Sequence, residues 1–171
     1  MGREVRMVPP GWKHPKDKLK PDGYLPLHAP CWSARAAEWA SDFLMWERGE
    51  HRSQAWYRER GTESPRYYWQ YAGAPPDPDD YMPDWPESER THFMMYEDCS
   101  EGTPISPAFA TAEELARWLV DNGASSFADC TATYEQWLYV CQGGWAPSAI
   151  IQNGVMRSGV SAMADREKGV S

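Results

Sequence analysis

Apolar residues recur at helical spacing in three stretches of this chain. Ala36, Trp39, Ala40, Phe43, Leu44 and Trp46 form one stripe, with Glu38, Asp42 and Arg48 elsewhere on the surface. Ser33 is placed to cap that helix and Gly49 to stop it. Leu115, Trp118 and Leu119 form a second stripe behind Thr111-Ala-Glu-Glu114. That tetrapeptide is a capping box: the hydroxyl accepts a backbone N–H three residues on, and the Glu carboxylate reaches back. The third stripe is Tyr134, Trp137, Leu138 and Cys141, behind a second box, Thr133-Tyr-Glu-Gln136. Asn122-Gly123 and Gly143-Gly144 end these two helices. About ten residues join them, which predicts an αα-hairpin. His51 to Arg60 reads as a further helix with a weak stripe.

The strand patterns are shorter. Glu4 to Val8 alternates and runs into Pro9-Pro10, which fits a short edge strand. Tyr67, Tyr68, Trp69 and Tyr71 favour a strand by their ring content. Thr91 to Tyr96 reads as a strand with Phe93 and Met95 on one face. Ala149–Ile151 and Val155-Met156 flank Asn153-Gly154, the pattern of a tight type I′ hairpin. Prolines break the chain over residues 9–31 and again at Pro75, Pro76, Pro78, Pro83 and Pro86. Past Val160 the sequence turns polar and is expected to fray. The organisation expected is a basic, loop-rich arm over 1–32, one globular domain over 33–160 and a frayed tail over 161–171. Its fold class is α+β, with three main helices, a few short antiparallel strands and long ordered loops rich in proline and aromatic residues.

Composition changes this picture in one respect. A mean hydropathy of −0.72 belongs to a disordered chain, yet the sequence has ten Trp and nine Tyr. A core built largely on rings is therefore expected, because each buried ring removes a large apolar area from water. No apolar run reaches membrane-spanning length, and the first ten residues lack the apolar centre of a signal peptide. Cys31, Cys99, Cys130 and Cys141 are widely spaced without a CxxC pair and read as reduced thiols, which fits the cytosol.

Charge is uneven. Residues 77–101 hold nine carboxylates (Asp77, Asp79, Asp80, Asp84, Glu87, Glu89, Glu97, Asp98, Glu101) and one base, Arg90. That stretch carries the whole formal net charge of −8. Tyr81, Trp85, Phe93 and Tyr96 are interleaved with the acids, and such rings are enriched at interface centres. Successive prolines stiffen the loop and lower the entropy lost on docking. A solubilising surface would also carry these acids. Residues 1–35 sum to +4, with Lys13, Lys16, Lys18 and Lys20 close together. This lysine run is either a solvated segment, a phosphate contact or a partner for the acidic stretch.

Catalytic and metal motifs are sparse. No close ligand pair of the structural-zinc type is present. Asp77, Asp79 and Asp80 resemble the start of a cation loop but lack its later Gly and terminal Glu, and Pro76 and Pro78 interrupt it. Cys99 follows Asp98, with His92 seven residues earlier. Carboxylates at Asp98 and Glu101 disfavour a reactive thiolate there. No cofactor, metal or catalytic residue is assigned.

Glu97-Asp98-Cys99-Ser100-Glu101-Gly102-Thr103-Pro104-Ile105-Ser106-Pro107, Thr111 to Asn122, Thr133 to Trp137 and Gly144-Trp145-Ala146-Pro147-Ser148-Ala149 resemble, in that order, small uncharacterised accessory proteins of tailed bacteriophages. The resemblance covers roughly residues 80–160 and implies action in the cytoplasm of an infected bacterium. Together with the acidic stretch it gives an expectation. The protein inhibits a host defence complex, a CRISPR effector or a related machine, by occupying a basic nucleic-acid-binding surface. The partner-binding residues would be Asp77, Asp79, Asp80, Tyr81, Asp84, Trp85, Glu87, Glu89, Glu97, Asp98 and Glu101, with Tyr81 and Trp85 as anchors. The partner would be a protein or ribonucleoprotein with a basic surface; the acidic face itself would repel DNA, and no membrane is involved. Two alternatives stand beside it: a small enzyme or metal protein using His92, Asp98, Cys99 and Glu101, and a phage structural or assembly protein.

Overall fold

A computed structural model describes residues 2–20, 23–98, 102–152 and 154–168. The fold is α+β, with six helices, five short strands and a single 3-10 turn among the described residues. The chain divides into two compact units: residues 1–28 with 85–171, and Ala29–Asp84. The smaller unit begins and ends inside the chain of the larger one.

The larger unit is built on β1 (Arg3–Val8), β2 (His92–Glu97) and β3 (Trp145–Ala146). The strand order is β2-β1-β3, all antiparallel, with Arg3 opposite Glu97 and Val8 opposite His92. The expected edge strand is therefore the centre of the sheet. Pro9-Pro10 follows the strand rather than interrupting it, so every ladder donor it needs is kept. The free edge of β2 is covered by residues 103–109. Phe93 and Phe109 exchange backbone hydrogen bonds of 2.8 and 2.9 Å, and the Ile105 N–H donates to the Met95 carbonyl at 2.7 Å. A covered edge offers no template for another chain. Gly102 opens that segment at φ +51°, and a Cβ there would stand 1.8 Å from the Leu27 carbonyl oxygen, so only glycine fits.

Both expected caps form on the threonine side, but only the second is a full capping box, because Glu114 reaches the Ala110 N–H instead of the Thr111 N–H. α4 (Ala112–Asp121) starts with the Thr111 hydroxyl accepting from the Glu114 N–H at 3.1 Å, while Glu114 accepts from the Ala110 N–H. α5 (Tyr134–Gly143) has the full Thr133–Gln136 exchange and ends at Gly144 in the left-handed region. α4 and α5 pack as the expected hairpin, and with Met95, Ala146 and Val160 they make the core: Leu115, Ala116, Leu119, Trp137, Val140 and Cys141 are all buried. Burial pushes the Cys141 thiol up to about 12, so it is an inert apolar filler. β4 (Ala149–Gln152) and β5 (Val155–Ser158) form the expected hairpin; Asn153, in its turn, lies outside the described residues. The expected frayed tail is a helix instead, α6 (Gly159–Lys168), packed on α5. The Ser158 hydroxyl accepts from the Ser161 N–H at 3.1 Å, and Val160, Ala162 and Ala164 are buried. Small side chains make this close packing feasible.

A polar hub ties the N-terminal loop to the sheet. His14 is buried, with Nε2 2.6 Å from the Leu25 carbonyl and Nδ1 3.2 Å from the Tyr96 hydroxyl. A carbonyl only accepts, so the neutral ring carries its proton on Nε2 and Tyr96 donates to Nδ1. The Trp12 indole N–H donates to the same hydroxyl at 3.3 Å, and the Arg6 guanidinium lies 4.5 Å from the Tyr96 ring centre. Burial pushes Tyr96 up to about 12 and lowers His14; the Leu25 hydrogen bond opposes the His14 shift and Arg6 adds to it.

The smaller unit holds α1 (Trp32–Glu47), α2 (Arg52–Glu59) and α3 (Tyr68–Ala72). Its interior is aromatic, as composition requires. Trp46 stacks on Tyr71 at 5.0 Å, Trp39 stacks on Phe43 at 5.6 Å, and Tyr68 stands between them. Ser33 lies within α1, whose N-cap is Cys31 with no side-chain bond. The strand expected at Tyr67–Tyr71 is α3. The Gln70 side-chain oxygen caps it by accepting from the Tyr67 N–H at 3.1 Å, and Tyr68 and Tyr71 both reach Trp46 from one helix face. The described residues include no helix long and apolar enough to cross a membrane.

Candidate functional site

The acidic stretch is shared between the two units. Asp77, Asp79, Asp80, Tyr81 and Asp84 belong to the smaller one, and Trp85, Glu87, Glu89, Glu97 and Asp98 to the larger. Glu101 and Cys99 lie outside the described residues.

In the smaller unit the chain is held before it turns acidic. The Trp39 indole donates to the Gly73 carbonyl at 3.3 Å and the Trp32 indole to the Pro76 carbonyl at 2.9 Å. Trp39, read from the sequence as part of the apolar stripe, and Trp32, which precedes the expected helix start, thus secure the loop. Pro78–Asp80 then forms a 3-10 turn in which the Asp77 carboxylate accepts from the Asp79 N–H at 2.9 Å. Proline fixes φ at the first turn position, where no N–H is needed. Beyond it Tyr81 is half-buried and Met82 is buried, a second anchor. Asp77, Asp79, Asp80 and Asp84 are exposed, and among the described residues none is paired with a base. The turn presents uncompensated negative charge on a secured backbone.

In the larger unit the residues separate by role. Trp85 is half-buried, edge-on to Trp12 at 4.6 Å, so it holds the chain rather than projecting from it. Glu87 and Glu89 are exposed on the turn that follows. Glu97 and Asp98 are spent internally. Glu97 lies 3.4 Å from the buried Arg3, whose side chain also donates twice to the Ser125 carbonyl. Burial lowers the Arg3 pKa, and Glu97 and Asp98 oppose that shift. Asp98 accepts from the Gly2 N–H at 2.9 Å and from the Trp145 indole. A Cβ on Gly2 would meet the Asp98 carboxylate at 2.5 Å, so this latch needs a bare backbone. Tyr96, expected among the interface rings, is wholly buried.

Of the residues of the alternative chemistry, His92 and Asp98 are described, and they do not come together. His92 and Glu97 occupy opposite ends of β2, about 17 Å apart at the rise of a strand, with Asp98 one residue further. His92 Nδ1 is 3.0 Å from the Thr91 hydroxyl. Among the described residues no group of three His, Cys, Asp or Glu side chains is placed to hold a metal ion.

One feature of the larger unit was not read from the sequence. An open groove of about 640 Å³ runs beside α4. Phe109, Trp118 and Tyr134 form its aromatic lining; Glu113 and Asp121 stand on it, and the Arg117 guanidinium lies 4.2 Å from the Tyr134 ring centre. Phe109 packs on Trp118 at 6.1 Å. The signal was present: Glu113, Arg117 and Asp121 are four residues apart along the helix face opposite Leu115 and Leu119. Rings beside carboxylates form surroundings that favour a cationic side chain.

No protein-family model, curated protein or solved structure matches this chain.

Proposed function

We propose that this is an acidic binding protein that recognises a basic surface on a macromolecular partner. The observation that carries the reading is the turn of Asp77, Asp79 and Asp80: exposed carboxylates without bases, on a backbone held by Trp32, Trp39 and buried Met82. A held turn loses little entropy on docking. Unpaired carboxylates raise the association rate toward a positive surface, and the rate falls as salt screens them. The groove of Phe109, Trp118, Glu113 and Asp121 adds a second place that suits a Lys or Arg side chain.

The resemblance to phage accessory proteins supports a narrower form of the proposal. The partner is then a nucleic-acid-handling defence complex of the infected bacterium, such as a CRISPR effector, whose basic surface is occupied in place of DNA or RNA. The test is capture from bacterial lysate with the wild-type chain and with a variant carrying Asp77→Asn, Asp79→Asn, Asp80→Asn and Asp84→Asn. Asn keeps the cap on the Asp79 N–H, so the turn survives. The wild type retains a basic complex and the variant loses it; equal retention by both rejects the proposal.

A further inference from the structure

The smaller unit carries a second exposed surface whose chemistry has the opposite sign. Arg52 and Trp56 on α2 and Arg60 at its C-cap follow at intervals of four and share one face. Arg52, Ser53, Trp56, Tyr57 and Tyr71 enclose an open hollow of about 460 Å³. The Arg60 guanidinium lies 4.1 Å from the Trp56 ring centre, and the Ser53 and Tyr71 hydroxyls are 2.8 Å apart. At the start of α3, Tyr67 and Trp69 stack at 5.7 Å with an interplanar angle of 8°, and Arg66 lies 5.1 Å from the Tyr67 ring centre. Trp56, Tyr67, Trp69 and Tyr71 are 46%, 41%, 54% and 43% exposed. So many large rings left in water mark a surface that meets something.

Among the described residues Arg52, Arg58, Arg60 and Arg66 pair with no carboxylate, although Glu50, Glu59 and Glu63 lie in the same stretch. Arg58 donates only to the Gly49 carbonyl, at 3.5 Å. Every base between residues 48 and 66 is Arg, the cation that both stacks on rings and grips phosphate with two N–H groups.

We propose that this face binds single-stranded nucleic acid. Bases stack on Trp56 and Tyr71 in the hollow, and phosphates meet Arg52, Arg58 and Arg60. Stacking needs the faces of the bases, which a double helix keeps covered, so single strands are selected. An acidic protein would engage the guanidiniums and leave the rings idle; a nucleic acid uses both. The inference is independent of the acidic turn.

The test is fluorescence anisotropy of a short labelled oligothymidylate and oligouridylate with the whole chain at low salt. Saturable binding that weakens with salt is expected for both. Trp56→Ala weakens it by about fivefold to a hundredfold, and Trp56→Phe restores most of it. Arg52→Gln with Arg60→Gln lowers the slope of log affinity against log salt by about 0.7 per arginine. Lys18→Gln with Lys20→Gln removes the same charge from the other unit and leaves binding unchanged. Both glutamine pairs replace exposed side chains, so they test the idea even if Trp56→Ala does not fold. Absence of binding at low salt overturns the proposal. So does equal loss from the lysine pair, or polyglutamate binding as tightly as the oligonucleotides.

Discussion

Tyr96→Phe isolates one buried hydroxyl. The ring stays, so the core volume and the Arg6 contact at 4.5 Å are kept. What disappears is the donor facing His14 Nδ1 and Met94 Sδ, and the acceptor for the Trp12 indole. Trp12 is half-buried, and water can replace its partner; His14 is only 5% exposed, and its Nδ1 is left bare. One buried acceptor without a partner costs about 1–3 kcal/mol. At about 2–4 °C per kcal/mol for a chain of this length, the melting temperature falls by about 4–8 °C for a cost near 2 kcal/mol. Circular dichroism melts at pH 7.5 measure it. A variant melting within about 1 °C of wild type would show that the hub contributes nothing, and the reasoning from burial would fail. The same hub sets a pH dependence. His14 is lowered in the folded state, so the unfolded chain takes up its proton first. Stability is full above the unfolded value of about 6.5 and is lost as pH falls from there through the lowered folded value. His14→Gln, which keeps a donor for the Leu25 carbonyl, removes that loss; an unchanged acid slope in the variant contradicts the assignment.

Three further outcomes are expected. Asp98→Ala removes the acceptor for both the Gly2 N–H and the Trp145 indole and lowers stability by about 1–2 kcal/mol in urea unfolding, whereas Asp98→Asn, whose single amide oxygen serves only one of the two donors, falls between that variant and the wild type. Gly102→Ala drives a Cβ into the Leu27 carbonyl at positive φ; a loss of more than about 2 kcal/mol is expected, and a neutral result would mean the 103–109 cover is wrongly placed. Leu119→Ala empties a wholly buried position between α4 and α5 and costs about 2–5 kcal/mol by the same assay.

Elements with local signals were legible. α4 and α5 announce themselves through capping boxes and helical stripes, and the β4–β5 hairpin through Asn-Gly. α3 was not, because ring-rich segments score as strands; the Tyr67–Gln70 cap and the facing Trp46 decide otherwise. β1 looked like an edge because its second partner, β3, is only two residues long and carries no pattern of its own. α6 was hidden by its polar residues, although Ser158 and the small Val160, Ala162 and Ala164 supply a cap and a face. Of the acidic residues, exposure at Asp77, Asp79, Asp80 and Asp84 follows from the prolines around them. The internal duties of Glu97 and Asp98 do not, since Arg3, Gly2 and Trp145 are tens of residues away. The aromatic groove and the arginine face are cases of i, i+4 spacing on exposed helix faces, where apolar periodicity gives no signal.

The central place of β1 has a consequence for biosynthesis. Its partners emerge about 90 and 140 residues later. At roughly 5–20 residues per second, Arg3 waits roughly 7–29 s for Ala146 to be made. The inserted unit, contiguous from Ala29 to Asp84, is complete on the ribosome well before that. Nascent β1 therefore leaves the tunnel without either partner strand, its Val5, Met7 and Val8 uncovered until β2 and β3 follow.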